Sequence, residues 1–411
     1  MSTLLFVIIP YFLANPAAHS SWSGIIFPPE TVLASEVGVV ILLTTGSAML
    51  LLKRRLLPLR VAQAPSQDGR GLRRLPFIAL AIAIATAVLL SLSPSFLDFR
   101  LRTFEFIAGS LNADEYQIAR RLGFADDFII QDLVGRLRFS LFPVLFVLAF
   151  GPFWTHGRIA TAALTSIAIF IILAMSFAKL PFVYYLGYSA LYVLSASGKT
   201  KNMSFITILF VSFGGLLFVI LLMSALYTVQ YATVTGFAHL FDRPLALSLE
   251  RIWGESYGVL LRYFHLYPDI LEHTGLSSIS FIASILDMPF RNVDLEVPYY
   301  FFGYGALTSN PAIFIASGYA SFGYFGVLLF SIAAFAVVFL LDYVFRLLNH
   351  TIVRNCYFAV IGINVTFIAQ LALPTALLTY GLGIIPLVFL LVDRAVTQVG
   401  TSRPSLAERP K

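Results

Sequence analysis

The stretch 309–341, SNPAIFIASGYASFGYFGVLLFSIAAFAVVFLL, contains no Asp, Glu, Lys or Arg. A helix needs about 20 apolar residues to cross the hydrocarbon layer of a bilayer, so this stretch is longer than one crossing requires. The excess length predicts a helix that begins outside the bilayer or tilts within it. Backbone groups find no water in that layer, so helix is the conformation expected. The stretch therefore indicates a membrane protein.

Comparable apolar stretches recur along the whole chain. Of its 411 residues, 59% are hydrophobic and 12% charged, whereas a soluble domain carries about 25% charged residues. The sequence predicts an all-α fold, a polytopic integral membrane bundle of about ten transmembrane helices in a single membrane domain, 1–411. The spans are expected at 3–18, 32–52, 77–94, 139–154, 160–178, 182–197, 203–227, 309–341, 356–373 and 376–392.

The first of these spans has an alternative interpretation. It is short and contains Pro10, so a cleaved signal peptide is the other reading of 3–18. No Lys or Arg precedes its apolar run, and this favours the span.

The distribution of charge predicts the orientation of the chain. Basic residues crowd the loop 53–76, where only Asp68 is acidic, so we expect this loop to be cytoplasmic. Both termini then lie in the cytoplasm, and the cytoplasmic segments hold 16 of the 27 Lys and Arg residues but 4 of the 21 Asp and Glu residues. The basic pI of about 9.3 therefore reflects the orientation of the chain in the membrane and gives no reason to expect a nucleic-acid partner. The long basic loop could also lie against anionic lipid.

The segment 95–138 is the first of two long outer segments. Its sequence predicts two short helices, the first capped by Asn112 and ending at Gly123. They could simply lie on the membrane surface. They could also form one wall of an outward-facing cavity, with Arg100 and Arg102 just above the third span as substrate contacts.

The segment 228–308 is the larger outer loop, and its many Trp, Tyr, Phe, Leu and Ile residues argue against disorder. At its centre, 248–266 (SLERIWGESYGVLLRYFHL) predicts a helix that Pro268 ends. A helical wheel places one polar stripe opposite an aromatic face; the stripe contains Arg251, Glu255, Gly258, Arg262 and His265.

That stripe admits two interpretations. It could be a solvated face with an Arg251–Glu255 pair, or a site at which two guanidinium groups bind a diphosphate. The aromatic face would suit the bilayer interface or the top of the bundle.

The end of the same loop is rich in aromatic rings. Tyr299, Tyr300 and Tyr304 precede Asn310, a mixture that suits either sugar stacking or an aromatic belt beside the bilayer. The small residues of 317–326 predict close packing between helices and no catalytic role.

Several kinds of site are not expected. Cys356 is the only cysteine, so a disulfide within the chain is impossible and a zinc cluster is excluded. The sequence has no phosphate-binding loop, no GxSxG and no HExxH, so we expect neither a metal nor a nucleotide cofactor. The spans also lack the central charged residues that ion-coupled transporters need.

The layout resembles the bacterial O-antigen or oligosaccharide repeat-unit polymerases of the Wzy type. The resemblance covers the whole chain in topology, and in residues it is carried by Arg251-Ile-Trp-Gly-Glu-Ser-Tyr257 to Pro268 and by Asn310 to Gly326. It implies an inner-membrane glycosyltransferase whose large helical periplasmic loop, 228–308, holds the active site. Its partners would be undecaprenyl-diphosphate-linked oligosaccharide, membrane lipids and, in some systems, a chain-length regulator protein.

In that chemistry the growing glycan moves from its lipid diphosphate onto a hydroxyl of the next lipid-linked unit, without a metal. Arg251 and Arg262 would bind the diphosphate, with Arg291 or Arg100 as further contacts, and His265 or Glu255 would be base or orienter. Tyr257, Tyr299 and Asn310 would contact sugar.

Three other functions stay open at this stage. An O-antigen ligase uses the same donor and a similar outer loop, and a GT-C-type glycosyltransferase would take a polyprenyl-linked sugar. A lipid-linked oligosaccharide flippase would need cationic residues between the spans, and the spans of this chain are uncharged.

Overall fold

The structure is a computed structural model that describes residues 27–56, 72, 74–107, 137, 139–173, 179–197, 255–303, 313–369, 371–378 and 380–401. These residues form helices and no β-strand, which confirms the all-α prediction for this part of the chain. Among them, three helices are long and apolar enough to cross a membrane: Pro29–Lys53, Phe314–Leu347 and Thr351–Ile368. Shorter apolar helices are Leu75–Ser91, Leu141–Thr155 and Ile159–Ile169.

The described chain divides into two compact units. The first contains Met1–Arg60, Leu217–Leu340 and Val365–Ala376, and the second contains Val61–Leu216, Leu341–Asn364 and Leu377–Lys411. The predicted spans 3–18 and 203–227, and the predicted short helices at 112–123 and 126–138, lie outside the described residues or almost entirely so.

The first unit holds the two longest helices and the described part of the large loop. Helix α1 is Pro29–Leu56, and α10 is Phe314–Leu347, whose last turns enter the second unit. Between them in sequence come α7 (Glu255–Leu266), a 3₁₀ turn (Gly275–Ser278), α8 (Ser280–Ile285) and α9 (Val293–Phe302). Helix α7 packs against α1 and α9.

The second unit is a bundle of apolar helices. Its elements are α2 (Leu75–Ser91), α3 (Pro94–Ile107), α4 (Leu141–Thr155), α5 (Ile159–Leu173), α6 (Lys179–Ala196), α11 (Thr351–Asn364) and α13 (Ile385–Thr401). Helix α4 lies at its centre and contacts α2, α5, α6 and α11. Its side chains from Phe142 to Phe153 are buried, and they form the middle of one hydrophobic core.

A buried carboxylate holds one end of α11 in this second unit. Asp393 is 2% exposed and accepts hydrogen bonds from the Asn349 and His350 backbone amides, both at 3.0 Å. It also accepts from Asn349 Nδ2 at 3.1 Å. Both amides precede Thr351, the first residue of α11, so Asp393 fixes the short connection between α10 and α11 from a distant part of the chain.

The last predicted span, 376–392, is not one continuous helix in the structure. The structure has a short helix, α12 (Leu373–Leu378), then a turn, and α13 begins only at Ile385. Gly381 has a φ of 75° in that turn, and Pro386 lies in the first turn of α13. A hydropathy average misses such a break, because the residues that make it are uncharged.

Helix α10 also differs from the continuous span expected at 309–341. Its backbone is non-helical at Phe322 (φ −140°, ψ 20°) and Gly323 (φ 62°, ψ −146°). The region that Gly323 occupies is accessible almost only to glycine. Gly318 and Gly326 face each other so closely that a methyl group on Gly318 would lie 2.7 Å from Gly326 O. In one continuous helix these residues would be about 12 Å apart, so the two segments of α10 pack closely against each other at the glycines, across a break that the sequence analysis did not expect.

Candidate functional site

Helix α7 presents the polar stripe on its less buried side. Arg262 and His265 are half-buried, whereas Val259, Leu260 and Phe264 are buried in the first unit. A methyl group added at Gly258 would meet no atom within 4 Å, so this part of the stripe is open. On the opposite side of α7, the described side chains of Leu260 and Phe264 are buried within the first unit.

Other members of the stripe cannot be placed. Arg251 lies outside the described residues, and so does the side chain of Glu255, although Glu255 belongs to α7. The side chain of Tyr257, the expected sugar contact on the opposite side of α7, also lies outside them.

Contacts with α1 fix the position of α7. His265 Nδ1 lies 3.3 Å from Thr31 Oγ1, and the His265 imidazole lies edge-on to the Phe27 ring with the centroids 5.7 Å apart. The Phe264 ring covers Gly38, where a methyl group would lie 2.8 Å from Phe264 Cζ. Helix α7 therefore lies against the first turns of α1.

Helix α1 and the part of α10 that follows its break run in the same direction. Tyr324 OH donates to Ala34 O at 3.4 Å, and further along both helices Lys53 Nζ lies 5.2 Å from the centroid of Phe339. Residue numbers thus increase together on the two helices. At 1.5 Å per residue, Lys53 is about 33 Å from Thr31 along α1, close to the thickness of a bilayer core. The polar stripe of α7 and Lys53 lie at opposite ends of α1.

The segment that follows α7 is hydrogen-bonded to α10 beside the break. Ala320 O accepts a hydrogen bond from Thr274 N at 3.0 Å, and the Ser278 and Ser321 hydroxyls are 2.7 Å apart. These bonds hold residues 274–278 at the same end of α10 as the break. The non-helical backbone at Gly323 is therefore covered by the large loop.

A second imidazole lies at this break. His273 is exposed, its Nδ1 is 3.4 Å from Ala320 O, and its ring is edge-on to Tyr319 with the centroids 5.7 Å apart. The Phe264 and Tyr319 rings stack with centroids 3.9 Å apart beside it. Sequence reasoning did not select His273, because it lies beyond the end of the 248–266 helix. The glycine at 275, two residues later, was the available sign that the chain turns here.

Two tyrosine–carboxylate bonds join α9 to α7 and to the residue that follows α7. Tyr263 OH donates to Asp294 Oδ1 at 2.7 Å, and Tyr267 OH donates to Glu296 Oε2 at 2.7 Å. Burial raises the pKa of Asp294 to about 6, against the lowering effect of the Tyr263 hydrogen bond. Burial and the nearby carboxylate raise the pKa of Tyr263, so its hydroxyl remains a donor at neutral pH.

Arg291 belongs to this cluster. Its Nε and Nη2 atoms donate to the two carboxylate oxygens of Glu296 at 2.9 and 2.8 Å. Burial opposes the ionisation of Glu296, but the hydrogen bonds from Arg291 and Tyr267 outweigh it and lower the pKa of that carboxyl. The structure therefore gives Arg291 a partner within the protein, which argues against the diphosphate contact expected from the sequence.

The remaining expected substrate contacts are Tyr299, Asn310, Arg100 and Arg102. Tyr299 is exposed at the end of α9, as a sugar or headgroup contact would be, and Asn310 lies outside the described residues. In the second unit, Arg100 lies on α3 with its side chain undescribed, and Arg102 Nε donates to the exposed Asp98 at 2.9 Å. Within the described ranges, no three His, Cys, Asp or Glu side chains converge as a metal site would require.

Comparison with known proteins adds no relative. No protein-family model, curated protein or solved structure matches the chain, so the case for its function is carried by its own residues.

Proposed function

We propose that this chain is an inner-membrane glycosyltransferase that polymerises undecaprenyl-diphosphate-linked oligosaccharide repeat units at the outer face of the membrane. It would have about ten spans, with both termini in the cytoplasm. The O-antigen or a related surface polysaccharide would be the product.

One observation carries this proposal. The Arg262–His265 stripe of α7 lies at one end of α1, and Lys53 lies at the other, about one bilayer core away. If the basic end is cytoplasmic, the stripe faces the outer leaflet, where lipid-linked glycans are presented. A guanidinium at the level of the lipid headgroups is a suitable ligand for a diphosphate.

The reaction follows from these groups. A sugar hydroxyl of the incoming unit attacks the anomeric carbon of the growing glycan, the bond between that carbon and the diphosphate oxygen breaks, and the diphosphate leaves on its lipid. Arg262, with Arg251, would stabilise the charge that develops on the leaving diphosphate. His265 or Glu255 would accept or orient the hydroxyl proton, and His273 is a further imidazole at the same end of the unit.

The position of His265 favours an orienting role. Its Nδ1 contacts Thr31 Oγ1, so its Nε2 is the nitrogen left for substrate. We expect His265→Gln to reduce polymer formation, and Thr31→Val to have a smaller effect in the same direction because the ring loses its polar contact.

The test is the surface glycan made by cells that carry Arg262→Ala at normal membrane levels. We expect such cells to add a single repeat unit, as cells without the gene would, because the removal of one charge-stabilising donor typically costs about 10²–10³ in rate. Arg394→Ala, an exposed arginine on α13, is the matched control and should keep long polymer.

Two outcomes would count against the proposal. Long polymer from Arg262→Ala would remove Arg262 from the mechanism. Surface lipid with no repeat unit at all in cells lacking the gene would indicate a ligase instead.

A further inference from the structure

Residues 278–290 form a closed loop on the first unit. Arg291 N donates to Ser277 O at 3.0 Å, so the two ends of the loop meet, and Met288 N donates to Ala283 O at 2.9 Å within it. The loop contains α8, and Ala283 on that helix is fully buried. The loop is therefore an ordered projection with a defined base.

The outer surface of this loop is apolar. Large side chains that point outward are Phe281, Ile285, Leu286, Met288 and Phe290, which are 41% to 66% exposed. Phe281 and Ile285 are four residues apart and so share one face of α8. An exposed apolar patch of this kind indicates an interaction surface.

Charged residues mark the base of the loop and are nearly absent from the loop itself. Asp287 is the one Asp, Glu, Lys or Arg between Glu272 and Arg291 in the sequence. Glu272 and Arg291 flank the loop where it leaves the unit. This arrangement matches an interface in which the base lies in water, Asp287 lies at the level of the lipid headgroups, and the exposed apolar side chains meet acyl chains.

The loop is also continuous with a membrane-facing surface. It is attached to α10 at the break through the Ser278–Ser321 contact of 2.7 Å. Immediately after the break, α10 exposes Phe325 (66%), Leu329 (43%) and Ile332 (41%) along a helix long and apolar enough to span the membrane. The apolar loop is thus attached at the end of α10 from which this exposed apolar face runs.

We propose that the loop 278–290 inserts into the acyl region of the leaflet at the end of α1 opposite Lys53. In this position it widens the membrane contact of the first unit beside the α7 stripe. Its occupant is bilayer lipid, and the insertion would hold whether or not the chain transfers sugars.

The experiment places a nitroxide spin label on the full chain in liposomes of phosphatidylethanolamine and phosphatidylglycerol. Phe281→Cys, Ile285→Cys and Leu286→Cys carry the label in three separate samples. Leu329→Cys is the lipid-facing control and Glu272→Cys the water-facing control. Cys356 is fully buried, so the native chain serves as the labelling blank. Collisions with oxygen, which dissolves in lipid, are compared with collisions with a water-soluble nickel chelate.

We expect oxygen collisions to exceed nickel collisions several-fold at the three loop positions, as at Leu329→Cys. Nickel accessibility equal to that of Glu272→Cys would place the loop in water and overturn the inference. Protection from both reagents would mean that protein covers the loop, through a second copy or another part of the chain, and would overturn it equally.

Discussion

Gly323→Ala distinguishes a broken α10 from a continuous one, because the two cases predict changes of opposite sign in the free energy of unfolding. In a continuous helix, alanine is more favourable than glycine by about 1 kcal/mol, so the variant would be more stable than the native chain. At the observed φ of 62° and ψ of −146°, a residue with a Cβ is strained. We expect this strain to cost about 1–3 kcal/mol.

The surroundings of Gly323 add to this cost. A methyl group there would lie 3.3 Å from His273 Nε2, so the ring must shift. If α10 relaxes, the hydrogen bond from Thr274 N to Ala320 O is weakened, at a cost of about 1 kcal/mol. We therefore expect Gly323→Ala to lower the free energy of unfolding by about 2–4 kcal/mol.

The assay is SDS titration of the purified chain in detergent micelles, with helix content followed by circular dichroism. Gly258→Ala is the matched control, since Gly258 lies within α7 and its new methyl group meets no atom within 4 Å. The free energy of unfolding of this control should rise by up to about 1 kcal/mol. A Gly323→Ala variant that is as stable as the native chain, or more stable, would refute the break in α10.

Three further predictions concern the polar contacts. Because the folded-state pKa of Asp294 lies near 6, above the ordinary 3.8, this group should remove about 2–3 kcal/mol of stability as pH rises from about 4 to about 7, while Glu296, whose pKa is lowered, acts in the opposite direction. Asp294→Asn keeps the acceptor for Tyr263 but loses this contribution, so the stability difference between the native chain and the variant should change by that amount over this pH range, and equal slopes in the two chains would contradict the assignment. Arg291→Ala should destabilise the protein by about 1–3 kcal/mol, because Glu296 loses both hydrogen bonds from the guanidinium. Arg102→Ala, which breaks an exposed pair, is the control and should change stability by less than about 0.5 kcal/mol. Asp393→Ala should destabilise by about 2–4 kcal/mol because three hydrogen bonds at the connection into α11 are lost, and an effect no larger than that of Asp98→Ala, from the exposed pair with Arg102, would argue against this role.

Hydropathy predicted the positions of several helices well. The helices observed at Pro29–Leu56, Leu75–Ser91, Leu141–Thr155 and Lys179–Ala196 lie within a few residues of expected spans. This agreement has a simple cause, since an apolar run of sufficient length can satisfy its backbone in lipid only as a helix. The helical wheel likewise separated Arg262 and His265 from Phe264, because periodicity on one helix is a local property.

Features that depend on backbone conformation were missed. The breaks at Gly323 and Gly381 occur in uncharged sequence, where hydropathy remains high, and the left-handed φ of each glycine is not encoded in polarity. The Gly318–Gly326 contact showed the same limit, because small residues suit both helix packing and a broken helix.

Partners distant in sequence were also beyond sequence reasoning. Arg291 was expected to meet substrate, but it binds the carboxylate of Glu296, five residues later, which also accepts a hydrogen bond from Tyr267 just after α7. Asp393 lay just past the end of the last expected span, so its bonds to Asn349 and His350 could not be anticipated. Only the fold brings these groups together.

The most direct test of the proposed function uses the purified chain in liposomes with undecaprenyl-diphosphate-linked oligosaccharide as the sole glycan donor. We expect a ladder of glycans of increasing repeat number, released undecaprenyl diphosphate and no need for a nucleotide sugar, with the ladder lost in Arg262→Ala and kept in Arg394→Ala. Unchanged oligosaccharide after incubation with the native chain, or an equal ladder from Arg262→Ala, would contradict a diphosphate-binding glycan transfer site on α7.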